Sequence, residues 1–122
     1  PGTLWKEYHK EVGHIMTSEL LGLGLIDKTD VKNENPQWPA YKKYFMHGTS
    51  HHLGLDTHDY GILWEPMQAN MVFTVEPGIY IPQEGFGIRL EDDVVIQPTG
   101  APLNLMKNIP ILADEIEDLM NP

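Results

Sequence analysis

The sequence predicts an α+β fold: an amphipathic helical pattern opens the chain, two strand-like segments occupy its second half, and a shorter helical pattern closes it. With 122 residues and 41% hydrophobic content, the chain suits one globular unit with a single modest core.

Pro1-Gly2-Thr3 reads as a turn leading into a helix, and a start at Pro rather than Met suggests a segment cut from a longer chain. From Leu4 to Leu21, Trp5, Tyr8, Val12, Ile15, Met16 and Leu20 recur at steps of three and four, with Leu23 continuing the stripe. That period places them on one helical face, with Thr3 or Gly2 as N-cap and Gly22 and Gly24 as the stop. The polar, Pro-bearing stretch from Asp27 to Pro39 reads as a long surface loop. Next comes HGTSHHLGLDTHDYG, His47 to Gly61, which holds four of the six histidines, and whose Gly48, Gly54 and Gly61 imply tight turns. MVFTVEPGIYI, Met71 to Ile81, alternates as a strand, with Val72, Thr74 and Glu76 on one face and Phe73 and Val75 on the other, until Pro77-Gly78 bends or breaks it. FGIRLEDDVVIQ, Phe86 to Gln97, reads as a second strand, with Ile88 and Leu90 opposite Arg89 and Glu91. In the tail, Leu112, Ile116, Leu119 and Met120 keep helical spacing and predict a short helix ending before Pro122. No repeat or low-complexity tract interrupts the chain.

Composition excludes several classes of function. Asp+Glu 18 against Lys+Arg 8 gives a formal charge of −10, which repels nucleic-acid phosphates and anionic lipid, so neither nucleic acid nor membrane is an expected partner. No apolar run is long enough to span a bilayer and no basic-then-apolar leader opens the sequence, so a cytoplasmic location is expected. The absence of cysteine excludes disulfides and thiolate ligands, leaving His and carboxylate to hold any metal.

The chemistry turns on Glu76 and Glu91. A carboxylate within an apolar strand is costly unless it is solvated, paired or bound to a cation. Two such strands lying side by side, with His51 adding an imidazole, make a His/Glu/Glu set that suits Mn, Zn, Co or Fe better than Ca. The residues alone allow a second reading, in which Arg89 pairs with one Glu and the histidines are ordinary loop residues.

HGTSHHLGLDTHD, TVEPGIY and GIRLEDD, in this order and at these separations, resemble the last three signature blocks of the aminopeptidase P and prolidase branch of the pita-bread (creatinase-like) metallopeptidases. The opening PGT helix and the closing IPILADEIEDLM segment are also similar to that family's second half. The resemblance implies the second half of a pita-bread fold, an antiparallel curved sheet with covering helices. Residues 1–122 would then be the C-terminal portion of a catalytic domain whose first half is missing.

The implied activity is exopeptidase release of the N-terminal residue from Xaa-Pro peptides by metal-activated hydroxide, with two divalent ions, Mn first and Zn, Co or Fe as alternatives. The resemblance makes His51 the imidazole ligand, Glu76 a carboxylate ligand and general base, and Glu91 the carboxylate shared by both ions. It makes His47 and His58 substrate-binding residues that stabilise charge on the scissile carbonyl, and sets Tyr80 and Arg89 around the proline. A proline nitrogen offers no N–H, so ring packing and carbonyl contacts must recognise it.

The family's site also needs two Asp ligands from an earlier strand hairpin. Asp27 and Asp30, the only aspartates before His51, lie in a polar loop and do not match them. The chain alone is therefore expected to be catalytically incomplete, to bind divalent ions weakly if at all, and to self-associate as a homo-oligomer through the apolar surface left open. The alternative function is a non-catalytic pita-bread domain that binds peptides or protein partners. A metal-free creatinase-type enzyme and a small structural His/Glu site are the further rivals.

Overall fold

The computed structural model describes residues 1–121; Pro122 lies outside them. Helix α1 spans Trp5–Gly22 and buries Trp5, Gly13, Met16 and Leu20. Its N-cap is Leu4, with no side-chain cap, rather than the predicted Thr3 or Gly2. Those residues instead pair as a strand would: Gly2 N donates to Met67 O (2.8 Å), Met67 N donates to Thr3 O (2.9 Å), and Leu4 bridges Pro66. The entry angle of α1 is thus set by tertiary pairing. Its exit follows the sequence: Gly24 takes φ 70° while Leu23, Gly24 and Leu25 donate their amides back to Glu19, Leu21 and Leu20. Gly13, an unfavourable residue in mid-helix, sits where a Cβ would lie 2.8 Å from the Tyr41 ring, and so permits close approach of the 3-10 turn Ala40–Lys43.

The predicted loop from Asp27 to Pro39 contains a short helix, α2, Lys28–Lys32. Asp27 accepts from the amides of Thr29 (2.6 Å) and Asp30 (2.8 Å), and Asp30 accepts from Asp27 N (2.9 Å). This reciprocal capping box, hidden in a polar run, holds the Asp27 carboxyl below the usual carboxylate range through the Asp30 and Thr29 amides.

Each predicted strand is two strands. β1 (Val72–Val75) and β2 (Gly78–Ile81) are split by Glu76-Pro77, and β3 (Phe86–Arg89) and β4 (Asp92–Val95) by Leu90-Glu91. β1 pairs antiparallel with β4, which pairs with β5 (Leu103–Asn104), while β2 and β3 form a separate two-stranded ribbon. The register is continuous through the interruption. Val75 faces Asp92 and Gly78 faces Arg89, so the two residues between place Glu76 opposite Glu91 and Pro77 opposite Leu90. Leu90 N donates to Pro77 O at 3.3 Å across that gap.

Two hydrophobic clusters replace the single predicted core, one at each end of α1, because the divided sheet packs against the helix twice. Trp5 joins Phe73 and Ile96 from the β1–β4 side, and Leu20 joins Ile26 and Tyr44, backed by Ile79 and Ile81 of β2. Beside the second cluster, Met16, Leu23, Leu25, Ile79 and Ile81 with the exposed Phe86 and Ile88 line an open apolar groove of about 480 Å³. Helix α3, Ala113–Met120, forms as predicted, yet Leu112, Ile116, Leu119 and Met120 are all exposed. Among the described residues no helix is long and apolar enough to cross a membrane.

His52 belongs to the first cluster. Its ring stacks on Trp5 (centroids 5.7 Å, planes 8° apart) and meets Phe73 edge-on. Of the three glycines read as turn formers, none adopts positive φ. Gly61 is needed for space instead: a Cβ there would lie 1.9 Å from His52 Cδ2. Gly61→Ala is expected to destabilise the fold by about 1–3 kcal/mol through overpacking, which denaturant unfolding measures; an unchanged midpoint would refute the packing. Burial holds the His52 imidazole below its usual range, with Asp59 drawing it up and His51 pushing it further down; burial, then Lys42, lowers His9 in the same way. Below about pH 6.5 the unfolded chain takes up these protons first. The stability from keeping the rings neutral is therefore present above that pH and lost as pH falls through the folded-state values. Relative to His52→Phe, the wild-type melting temperature should fall between pH 7 and pH 5, and a constant difference would exclude this linkage.

Candidate metal centre

The His-rich segment runs antiparallel along the free edge of β1. Leu53 N donates to Val72 O, Thr74 N to His51 O and Glu76 N to Thr49 O (3.2, 3.1 and 2.7 Å), and His52 bridges Phe73. The segment is held from three further directions. Tyr8 of α1 shares a 2.8 Å hydrogen bond with Ser50, and His52 is clamped in the core. Asp59 accepts from the amides of Tyr60 (2.7 Å) and Leu55 (2.8 Å), closing the loop beyond it. Those amides, Tyr60 first, keep the Asp59 carboxyl below its usual range.

Side chains alternate across a pleated sheet, so one face carries Thr74, Glu76, Gly78 and Tyr80 on one side of the hairpin and Gly87, Arg89 and Glu91 on the other. Gly78 and Gly87 form a floor beneath the Tyr80 ring: a Cβ on Gly78 would meet its hydroxyl at 2.9 Å, and one on Gly87 would meet Cδ1 at 2.5 Å. Ile79, Ile81, Phe86 and Ile88 take the other face, which is the apolar groove.

On the polar face His51, Glu76 and Glu91 each offer a donor atom, and these atoms lie within 4.8 Å of one another. His51 Nε2 is 3.3 Å from Glu76 Oε1, and Arg89 reaches Glu76 Oε2 (3.5 Å) and Glu91 Oε2 (3.7 Å). Glu76 is 12% exposed, and Glu91 and Arg89 are 40% and 48% exposed. His51 Nδ1 lies 2.9 Å from His52 O, a carbonyl that only accepts, so Nδ1 carries a proton, and in that tautomer of the neutral ring the Nε2 lone pair points toward Glu76.

A lone pair and two carboxylates converging on one point repel unless positive charge lies among them, and Arg89 supplies one charge against two. A divalent cation fits the remainder: the donors are one imidazole nitrogen and carboxylate oxygens, and the imidazole's other nitrogen is fixed by a carbonyl, as ligating histidines require.

The remaining predicted residues divide. His58 packs edge-on against His51, with centroids 4.3 Å apart, and its neighbour Asp59 is committed to backbone amides rather than to a local Asp-His pair. His47 and Tyr80 form a pair of their own: His47 Nδ1 donates to Gly48 O (2.7 Å), and Nε2 and the Tyr80 hydroxyl share a 2.9 Å bond. Arg89 contacts both glutamates rather than one. The carboxylates stand at the interruptions between strands rather than in mid-strand, because Pro77 cannot continue the ladder. Sequence reasoning passed over Thr74, whose hydroxyl accepts from His51 N (3.0 Å) and donates to Glu76 Oε1 (3.3 Å); its alternation with Glu76 was the available signal.

Known proteins resemble the chain over nearly its whole length. The chain is 44% identical to the Xaa-Pro aminopeptidase of Escherichia coli K12, over 98% of its own length and 29% of that protein's. It is 34% identical to human Xaa-Pro aminopeptidase 3, over 98% and 25%. Among solved structures, it superposes on Pseudomonas aeruginosa aminopeptidase PepP with a TM-score of 0.82 at 38% identity, over 99% of this chain and 30% of that one. Escherichia coli aminopeptidase P in complex with substrate gives 0.79 at 41% identity, again over 99% and 30%. The chain thus spans under a third of the length of these relatives. Its architecture is the α+β pita-bread type, with antiparallel sheets that do not close into a barrel. Residues 1–98 match the profile of Metallopeptidase family M24, and with these likenesses the chain belongs to that family.

Proposed function

We propose that this chain is the C-terminal portion of a pita-bread catalytic domain and carries part of the metal site of an exopeptidase that releases the N-terminal residue from Xaa-Pro peptides. The observation that carries the reading is the convergence of His51, Glu76 and Glu91 within 4.8 Å, with the two carboxylates opposed across one hairpin. The names of the relatives, Xaa-Pro aminopeptidase and aminopeptidase P, support the activity and the peptide substrate. Their greater length, together with the open apolar groove, supports a further part of the domain packing on this one.

In this reading His51 Nε2, Glu76 and Glu91 hold the divalent cations, Mn in the first place, with Zn, Co and Fe compatible with the same donors. Such cations supply Lewis acidity and make water a stronger acid, so that a nucleophile exists near neutral pH. Glu76, the most buried of the three acceptors, takes the proton of the attacking water. Arg89 keeps both carboxylates turned to the same side. His58, lying against the ligand imidazole, and His47 bind the peptide and stabilise charge building on the scissile carbonyl. His47 Nδ1–H is committed to Gly48 O, which turns Nε2 to the Tyr80 hydroxyl and so ties the orientation of the two side chains together. The Tyr80 ring on its glycine floor offers a flat surface to a proline ring.

Assay of the full-length gene product on an Xaa-Pro peptide with added Mn tests the function. Glu76→Gln should lower kcat by about 10²–10⁴-fold, and a variant within threefold of wild type would remove Glu76 from the chemistry. The isolated 122-residue chain is expected to show no turnover in the same assay; turnover that depends on Glu76 would overturn its placement as an incomplete part of the domain.

A further inference from the structure

We infer that Thr74 is a positioning residue whose single hydroxyl sets both the ligand imidazole and the ligand carboxylate before any cation arrives. The inference rests on the reading of His51 and Glu76 as cation ligands.

Thr74 is 2% exposed and lies on β1 directly between the two. In the antiparallel contact between β1 and the His-rich segment, Thr74 N donates to His51 O at 3.1 Å. An ordinary ladder would return the bond from His51 N to Thr74 O. Here His51 N donates instead to the Thr74 side chain, at 3.0 Å. With an N–H pointing into the oxygen, the hydroxyl proton must go elsewhere, and the acceptor in reach is Glu76 Oε1 at 3.3 Å. One oxygen therefore reads the backbone position of residue 51 and writes the orientation of the carboxylate at 76.

Oε1 is also the atom 3.3 Å from His51 Nε2. Glu76 has its backbone fixed as well, through its amide to Thr49 O at 2.7 Å. A methyl in place of the hydroxyl would leave a buried amide without an acceptor and free the carboxylate to rotate toward Arg89, which already holds its other oxygen.

The test is divalent affinity of the full-length protein, measured with Mn by calorimetry and with Co by its visible absorption, for wild type, Thr74→Val, Thr74→Ala and Thr74→Ser. The expected result is affinity about 10–100-fold weaker for Val and Ala, recovered by Ser to within about threefold, with an altered Co spectrum in the two variants without a hydroxyl. Val or Ala binding as tightly as wild type, or Ser as weak as Ala, would overturn the inference and show that only the methyl packing matters. Should neither Val nor Ala fold, a structure of the Mn-loaded wild type decides: Thr74 Oγ1 is expected within hydrogen-bond distance of the Glu76 carboxylate, and separation overturns it. A wild type that binds neither metal overturns the ligand reading itself, and this inference with it.

Discussion

Glu76 and Glu91 stand opposite each other across an antiparallel hairpin and on the same face, with donor atoms within 4.8 Å of each other. Two unit charges at that separation repel on the order of 3 kcal/mol at an effective dielectric of 20, before solvent screening reduces it. Much of the surrounding structure answers that repulsion. Arg89 spans the pair and Glu76 is tied by its amide and by Thr74, while a lone pair on His51 Nε2, in the neutral tautomer, adds to the negative charge at the same point. Such an arrangement is poorly suited to stability alone and well suited to receiving a cation.

Division of labour between the two faces of the hairpin follows from the two-residue period of a strand. Even-numbered positions of β2 and odd-numbered positions of β3 give glycine, tyrosine and arginine, while the alternate ones give isoleucine and phenylalanine. A one-residue slip would bring the apolar residues to the carboxylates and the arginine to the groove. The positions of the His-rich segment obey the same register through its edge pairing with β1, which is how a loop without regular structure delivers His51 beside Glu76.

Much of this was legible beforehand. The helical stripe from Trp5 to Leu20, the alternation around Thr74 and Glu76, and the closing helix all carry their period in the residues themselves. The face shared by Val72, Thr74 and Glu76 and that shared by Arg89 and Glu91 were correct even though the strands are interrupted. What escaped notice depends on contacts distant in sequence. The entry to α1 is pinned by residues 66 and 67, Gly61 is fixed by the His52 ring, and the core divides because the sheet does. Helix α2 escaped for a local reason, since an Asp-x-x-Asp capping box in a polar run has the composition of a loop.

The ribbon of β2 and β3 is a single layer, with the groove on one side and Tyr80 and Arg89 on the other. Two-stranded ribbons twist more readily than wider sheets, and a twist imposed on one face is a twist of both. Ile79 and Ile88 in the groove therefore share one backbone with Tyr80 and Arg89, and the twist that shapes the apolar face also sets the hairpin register that opposes Glu76 to Glu91.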